Sequence, residues 1–257
     1  GVPPSLASDG VRFLQLPQFM NLKVKFRLNK SLDKKMAFEF LNIKAGGIDF
    51  SRGIISVHSE LKIILKESKV KQKKIINKYF NKFYKNNKKY LDNRLKEMEK
   101  DWEKVEKKFI RQLEIIFKNP NVPKGKYIGY LSIINCNPRF LDDKTFQIFY
   151  KYPSGSNYVI THEILHFFFY DYAVKKYPKI FSKLDMNSGI FWDMAELFNA
   201  VIMSEPNFII KDYSEKNKPY PSHIKYFNKA KEIWRKNKDI DNWLIEFYNY
   251  FRKIKKS

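Results

Sequence analysis

Hydrophobic and polar residues alternate from Asn21 to Leu28, where Lys23, Lys25 and Arg27 separate Leu22, Val24, Phe26 and Leu28. A period of two predicts a strand with one buried and one wet face. Ser31 is the expected N-cap of a helix over Leu32 to Leu41 that turns Met36, Phe40 and Leu41 inward. Gly46-Gly47 predicts a turn, and the apolar run Ile54 to Val57 a short second strand. From residue 60 to 118 the period lengthens to that of a helix. Ile75, Tyr79 and Phe83 form one stripe, and Asn86-Asn87 mark a break. Leu91, Leu95, Met98, Trp102, Val105, Phe109, Leu113 and Ile116 then define a long amphipathic helix with a charged opposite face.

Pro120, Pro123 and Gly125 close that segment. Tyr127 to Asn135 reads as a buried strand, Asn137-Pro138 as a turn, and Thr145 to Tyr150 as a strand offering an edge to an extended peptide. A loop at Pro153-Ser154-Gly155 leads into a helix with Ser156 or Asn157 as N-cap. That helix is apolar nearly all round. Between Tyr158 and Tyr170 its only titratable groups besides tyrosine are His162, Glu163 and His166, so it is expected to be buried and central. A second apolar helix, Ile190 to Met203, carries Asp193, Glu196 and Asn199 three residues apart on one face. Ser222 to Arg252 reads as two amphipathic helices, with Ile224, Phe227 and Ala230 inward on the first. Trp243, Leu244, Phe247, Tyr248 and Phe251 are inward on the second, and Lys253, Lys255 and Lys256 form a solvated end. The pattern as a whole predicts an α+β architecture. Residues 20–118 are an amino-terminal part with long charged helices, and 119–257 a core with carboxy-terminal helices, the two forming one continuous unit.

Composition supports a packed core: 44% of the 257 residues are hydrophobic and 17% aromatic. The net charge of +23 invites a polyanion reading, but it comes from 42 Lys against 8 Arg, spread along the chain without a recognition motif. Arg is the preferred residue for bidentate phosphate and base contacts. Non-specific sticking to polyanions is therefore expected, and specific nucleic-acid recognition is not. The single cysteine, Cys136, excludes an intramolecular disulfide and fits a reducing compartment. No stretch has the length to span a bilayer, and the first residues lack the build of a secretory signal, so a cytoplasmic protein without a membrane partner is expected. Residues 1–19 contain no Lys, Ile, Asn or Tyr and are followed by Met20. They read as an appended leader, or alternatively as a pro-segment lying in a cleft.

Two of the four histidines stand four apart in His162-Glu163-Ile164-Leu165-His166. On a helix this spacing projects both imidazoles from one face, one turn apart, where they can converge on a metal ion. The intervening carboxylate can then address a water on that metal. Unpartnered, a buried Glu beside two imidazoles would cost several kcal/mol or shift their ionisation. His58 stands alone and reads as a structural or surface histidine.

The segment Val159-Ile160-Thr161-His162-Glu163-Ile164-Leu165-His166-Phe167-Phe168 resembles the extended signature of the zincin metallopeptidases, with uncharged residues around the ligands. The resemblance implies a small mixed sheet with a backing helix and an active-site helix, followed by a helical carboxy-terminal half. It also implies one zinc per chain and a peptide or protein substrate. The metzincin branch would need Gly and His where Phe169 and Tyr172 stand. The gluzincin branch takes its third ligand from a Glu on a following helix, which assigns Glu196, with Asp193 as the rival. Asn199 or Asp193 would orient an imidazole. Gluzincins often carry Asp or Asn four residues after that Glu, whereas Ala200 stands here. Glu163 would be the general base. In thermolysin-like relatives a His and a Tyr stabilise the oxyanion, for which His223, Tyr220 and Tyr213 are the candidates. The alternative is a zincin-shaped binding protein, toxin-like or nucleic-acid-associated, without peptidase activity.

Overall fold

The computed structural model describes residues 20–206, 208 and 219–256. The expected leader at residues 1–19 and the candidate Tyr213 lie outside the described residues. The architecture is mixed α+β, with a small mixed sheet surrounded by helices.

β1 (Lys25–Leu28) leads into α1 (Lys30–Phe40), and β2 (Lys44–Ala45) and β3 (Ile48–Asp49) form a hairpin across Gly46-Gly47. α2 (Phe50–Val57), a 3-10 segment (Ser59–Lys66), α3 (Lys69–Asn86) and α4 (Lys88–Ile116) follow. Then come β4 (Ile128–Ser132), β5 (Arg139–Phe140), β6 (Thr145–Phe149), α5 (Ser156–Lys176), the short α6 (Pro178–Phe181) and α7 (Gly189–Met203). A 3-10 turn (Pro221–His223), α8 (Ile224–Asn237) and α9 (Ile240–Lys256) complete the described chain.

The sheet order is β1-β4-β6-β5, with β1, β4 and β6 parallel and β5 antiparallel to β6. Central parallel strands are covered on both faces, and β6 is buried at every position, polar Thr145 and Gln147 included, as β4 is at all but Tyr130. Gly129 in β4 keeps the layer thin: a Cβ there would lie 2.9 Å from both Ile148 Cδ1 and Phe26 Cδ1. Because β1 comes from the amino-terminal part and β4 from the rest, the two parts share one sheet and one hydrophobic core.

The sheet is riveted to the helices by Asp33 of α1, which is buried. Its carboxylate accepts from Ser132 Oγ (2.7 Å), Ile133 N (3.0 Å), Gln147 Nε2 (2.6 Å) and Tyr84 Oη (2.6 Å). One side chain thus joins α1, the β4 end, β6 and α3. Desolvation pushes its carboxyl up to about 6, against the four donors that hold it down. His58 is fully buried and structural, its Nδ1 2.9 Å from Tyr79 Oη and its Nε2 2.7 Å from Ile133 O.

Several sequence expectations need correction. α1 is capped by Asn29, whose side chain accepts from Leu32 N, and not by Ser31. Ile54 to Val57 belongs to α2: Asp49 caps that helix through Ser51 N, and the β-branched run follows the cap. β1 and β4 are shorter than the strands expected at Asn21 to Leu28 and Tyr127 to Asn135. The buried face of α3 is Gln72, Ile76 and Phe80, with Ile75, Tyr79 and Phe83 half-buried beside it. Ile224 is exposed, and α8 buries Tyr226, Ala230, Ile233 and Trp234. The strand from Thr145 is no edge, because β5 pairs along it after the Asn137-Pro138 turn. α4 does back the core as expected, packing on α5 and β1. No helix among the described residues is long and apolar enough to cross a membrane.

Candidate metal centre

α5 begins behind Gly155, which adopts a left-handed φ of 82°, so neither Ser156 nor Asn157 is its N-cap. Its residues from Tyr158 to Tyr170 are buried except His162, which is partly open to the cleft. α7 crosses beside it, buried from Asp193 to Met203, and Asn199 Nδ2 donates to the main-chain carbonyl of His162 at 2.7 Å. That bond fixes the α7 register against the turn bearing the histidines.

The register brings Glu196 to the imidazoles. His162 Nε2 and His166 Nε2 are 3.0 Å apart, Glu196 Oε2 is 3.2 Å from the first, and Oε1 is 3.3 Å from the second. A tetrahedral zinc with bonds of about 2.0–2.1 Å spaces its ligand atoms by about 3.3–3.4 Å. The three donors already stand near that spacing, and two nitrogens with one carboxylate oxygen suit zinc chemically. Glu196 Oε2 and Glu163 Oε2 are buried and have no hydrogen-bond partner among the described residues. The arrangement therefore fits a divalent cation. Glu163 stands next to the cluster but outside it.

Electrostatics follow from burial. Desolvation pushes the Glu163 carboxyl up to about 7, although His162 and Arg139 pull it down. Burial also opposes ionisation of Glu196, yet His166, Arg139 and His162 hold it well below the usual carboxylate range. Desolvation, with Arg139 adding to it, depresses His166 to about 3. For His162, burial is outweighed by the carboxylates of Glu196 and Glu163, and its pKa rises. A buried, neutral imidazole at His166 is the form that ligates a metal.

Sequence reasoning missed Arg139. The guanidinium, on β5, donates from Nη1 to Glu196 Oε1 at 3.0 Å and lies 3.9 Å from Glu163 Oε2, with Nη2 3.4 Å from Tyr170 Oη. In a chain of 42 Lys and 8 Arg, an arginine next to an apolar strand was the available signal. Tyr158 and Tyr170 stack on His162 and His166, at interplanar angles of 15° and 14°, and hold the rings upright.

Of the other candidates, Tyr220 lines the same cleft as Glu163, Glu196 and Arg139, a cavity of about 530 Å³. Burial, then Glu196, raises its phenol well above the ordinary value. His223 does not line the cavity. It is buried, with Nε2 2.7 Å from Asp193 Oδ1, which leaves neither residue at the metal cluster. Neither Asp193 nor Asn199 orients a cluster imidazole: the first meets the ring of His223, the second a backbone carbonyl, and Nδ1 of His162 and of His166 has no hydrogen-bond partner among the described residues. No protein-family model, curated protein or solved structure matches this chain.

Proposed function

We propose that this protein is a zinc-dependent metallopeptidase with a zincin-like, gluzincin-type centre. The observation that carries the reading is the convergence of His162, His166 and Glu196, with their ligand atoms within 4.8 Å of one another and Glu163 next to His162 on α5. His162, His166 and Glu196 would hold the ion. Zinc bound by three protein ligands supplies a Lewis acid and lowers the pKa of a water.

The chain's own residues account for the rest. Glu163 Oε2, buried and without a donor, takes the proton of the attacking water and returns it to the leaving amine. Arg139 restrains one oxygen of Glu196 and leaves the other facing His162. Tyr220 Oη donates to the developing oxyanion from the cleft wall, and His223, tied to Asp193, steadies the turn that bears it. An extended peptide would add to the free side of β5. The single, buried Cys136 fits a cytoplasmic location.

Glu163→Gln should retain about one zinc per chain and lose cleavage of a peptide library by about 10²–10⁴-fold. Unchanged hydrolysis in that variant would sink the general-base role. A second reading draws on Arg139, which already gives Glu196 a cationic partner without a metal. It makes the chain a zincin-shaped binding protein without peptidase activity, and purification free of zinc would favour it.

A further inference from the structure

Residues 61–89 hold eleven lysines and no arginine, against Glu67 alone. All eleven are exposed, and among the described residues only Lys71 and Lys88 have a carboxylate within 4.0 Å. A general bias toward lysine does not explain this. The neighbouring α4, from the same chain, balances nine basic residues with seven acidic ones, whereas α3 has seven lysines and no acid. Beside this charge, the 3-10 segment and the first turn of α3 expose Ile63 (59%), Leu65 (51%) and Val70 (66%).

We propose that the 3-10 segment and α3 form a docking face for an anionic phospholipid surface, on which the protein lies without crossing it. Lysines clustered around a few exposed aliphatic side chains match a bilayer's negative headgroups and the acyl boundary beneath them. A nucleic-acid face would be expected to present arginines and stacking rings, and none of the aromatic side chains in 61–89 is exposed. No residue of the 3-10 segment or α3 lines the cleft, so docking leaves the metal centre open.

Co-sedimentation of the full chain tests this, using phosphatidylcholine vesicles with and without about a third phosphatidylserine. Binding should be at least about tenfold tighter to the anionic vesicles. The triple variant Lys69→Gln, Lys74→Gln, Lys78→Gln should weaken it roughly a hundredfold. The control Lys96→Gln, Lys100→Gln, Lys107→Gln on α4 removes equal charge and should change it less than about threefold. Ile63→Ser, Leu65→Ser, Val70→Ser should weaken vesicle binding about tenfold and leave duplex DNA binding unchanged. Equal losses from the two lysine sets would overturn the proposal in favour of diffuse charge. Vesicle binding indifferent to the aliphatic set, with tighter binding to nucleic acid, would overturn it in favour of a nucleic-acid face.

Discussion

Arg139 stands between two buried acids, and the cost of removing it should depend on metal. Arg139→Leu leaves Glu196 and Glu163 buried without a cation, which should cost the metal-free protein about 3–5 kcal/mol in urea unfolding. If zinc takes Glu196, saturating zinc should restore part of that loss. An equal loss with and without zinc would contradict it. Asp33 gives a second test at this scale. Its folded pKa of about 6 lies above the unfolded value of 3.8, so the folded state binds the proton more tightly. Stability should therefore fall as pH rises from about 4 to about 6, by about 3 kcal/mol relative to Asp33→Asn, and level off above. A flat difference between the two proteins across that range would count against it. The HExxH spacing was legible because i and i+4 meet within one helix. Arg139 was not, because it meets Glu196 across 57 residues and no local pattern carries that distance.

Among the elements, helices with long stripes were readable, and short pieces governed by caps and neighbours were not. Asn29 outcompeted Ser31 as a cap, and Asp49 turned a β-branched run into α2. The two residues of β5 are too few to show a period, yet they make Thr145–Phe149 an interior strand and bring Arg139 to the cleft. The β2–β3 hairpin sets the position of Tyr220 in a similar way. Gly46 has a φ of 61°, and a Cβ there would lie 2.5 Å from Tyr220 Cδ1. Gly46→Ala should cost about 1–2 kcal/mol through backbone strain. By displacing Tyr220 it should also lower kcat as Tyr220→Phe does. Wild-type kcat in Gly46→Ala would remove Tyr220 from the chemistry.

For the whole molecule, the mixed α+β class followed from the order of the periodic segments, and β1 pairs with β4 across about a hundred residues of sequence. Totalled over the whole chain the lysines look diffuse, whereas the single segment α3 carries seven without an acid, away from the cleft. Zinc-edge X-ray absorption on the purified full chain would show whether the cleft holds the metal. About one zinc is expected, bound by two imidazole nitrogens and carboxylate or water oxygen at about 2.0–2.2 Å, with a spectrum changed by His166→Ala. A protein without zinc, or a zinc spectrum indifferent to that substitution, would contradict the proposed zinc centre.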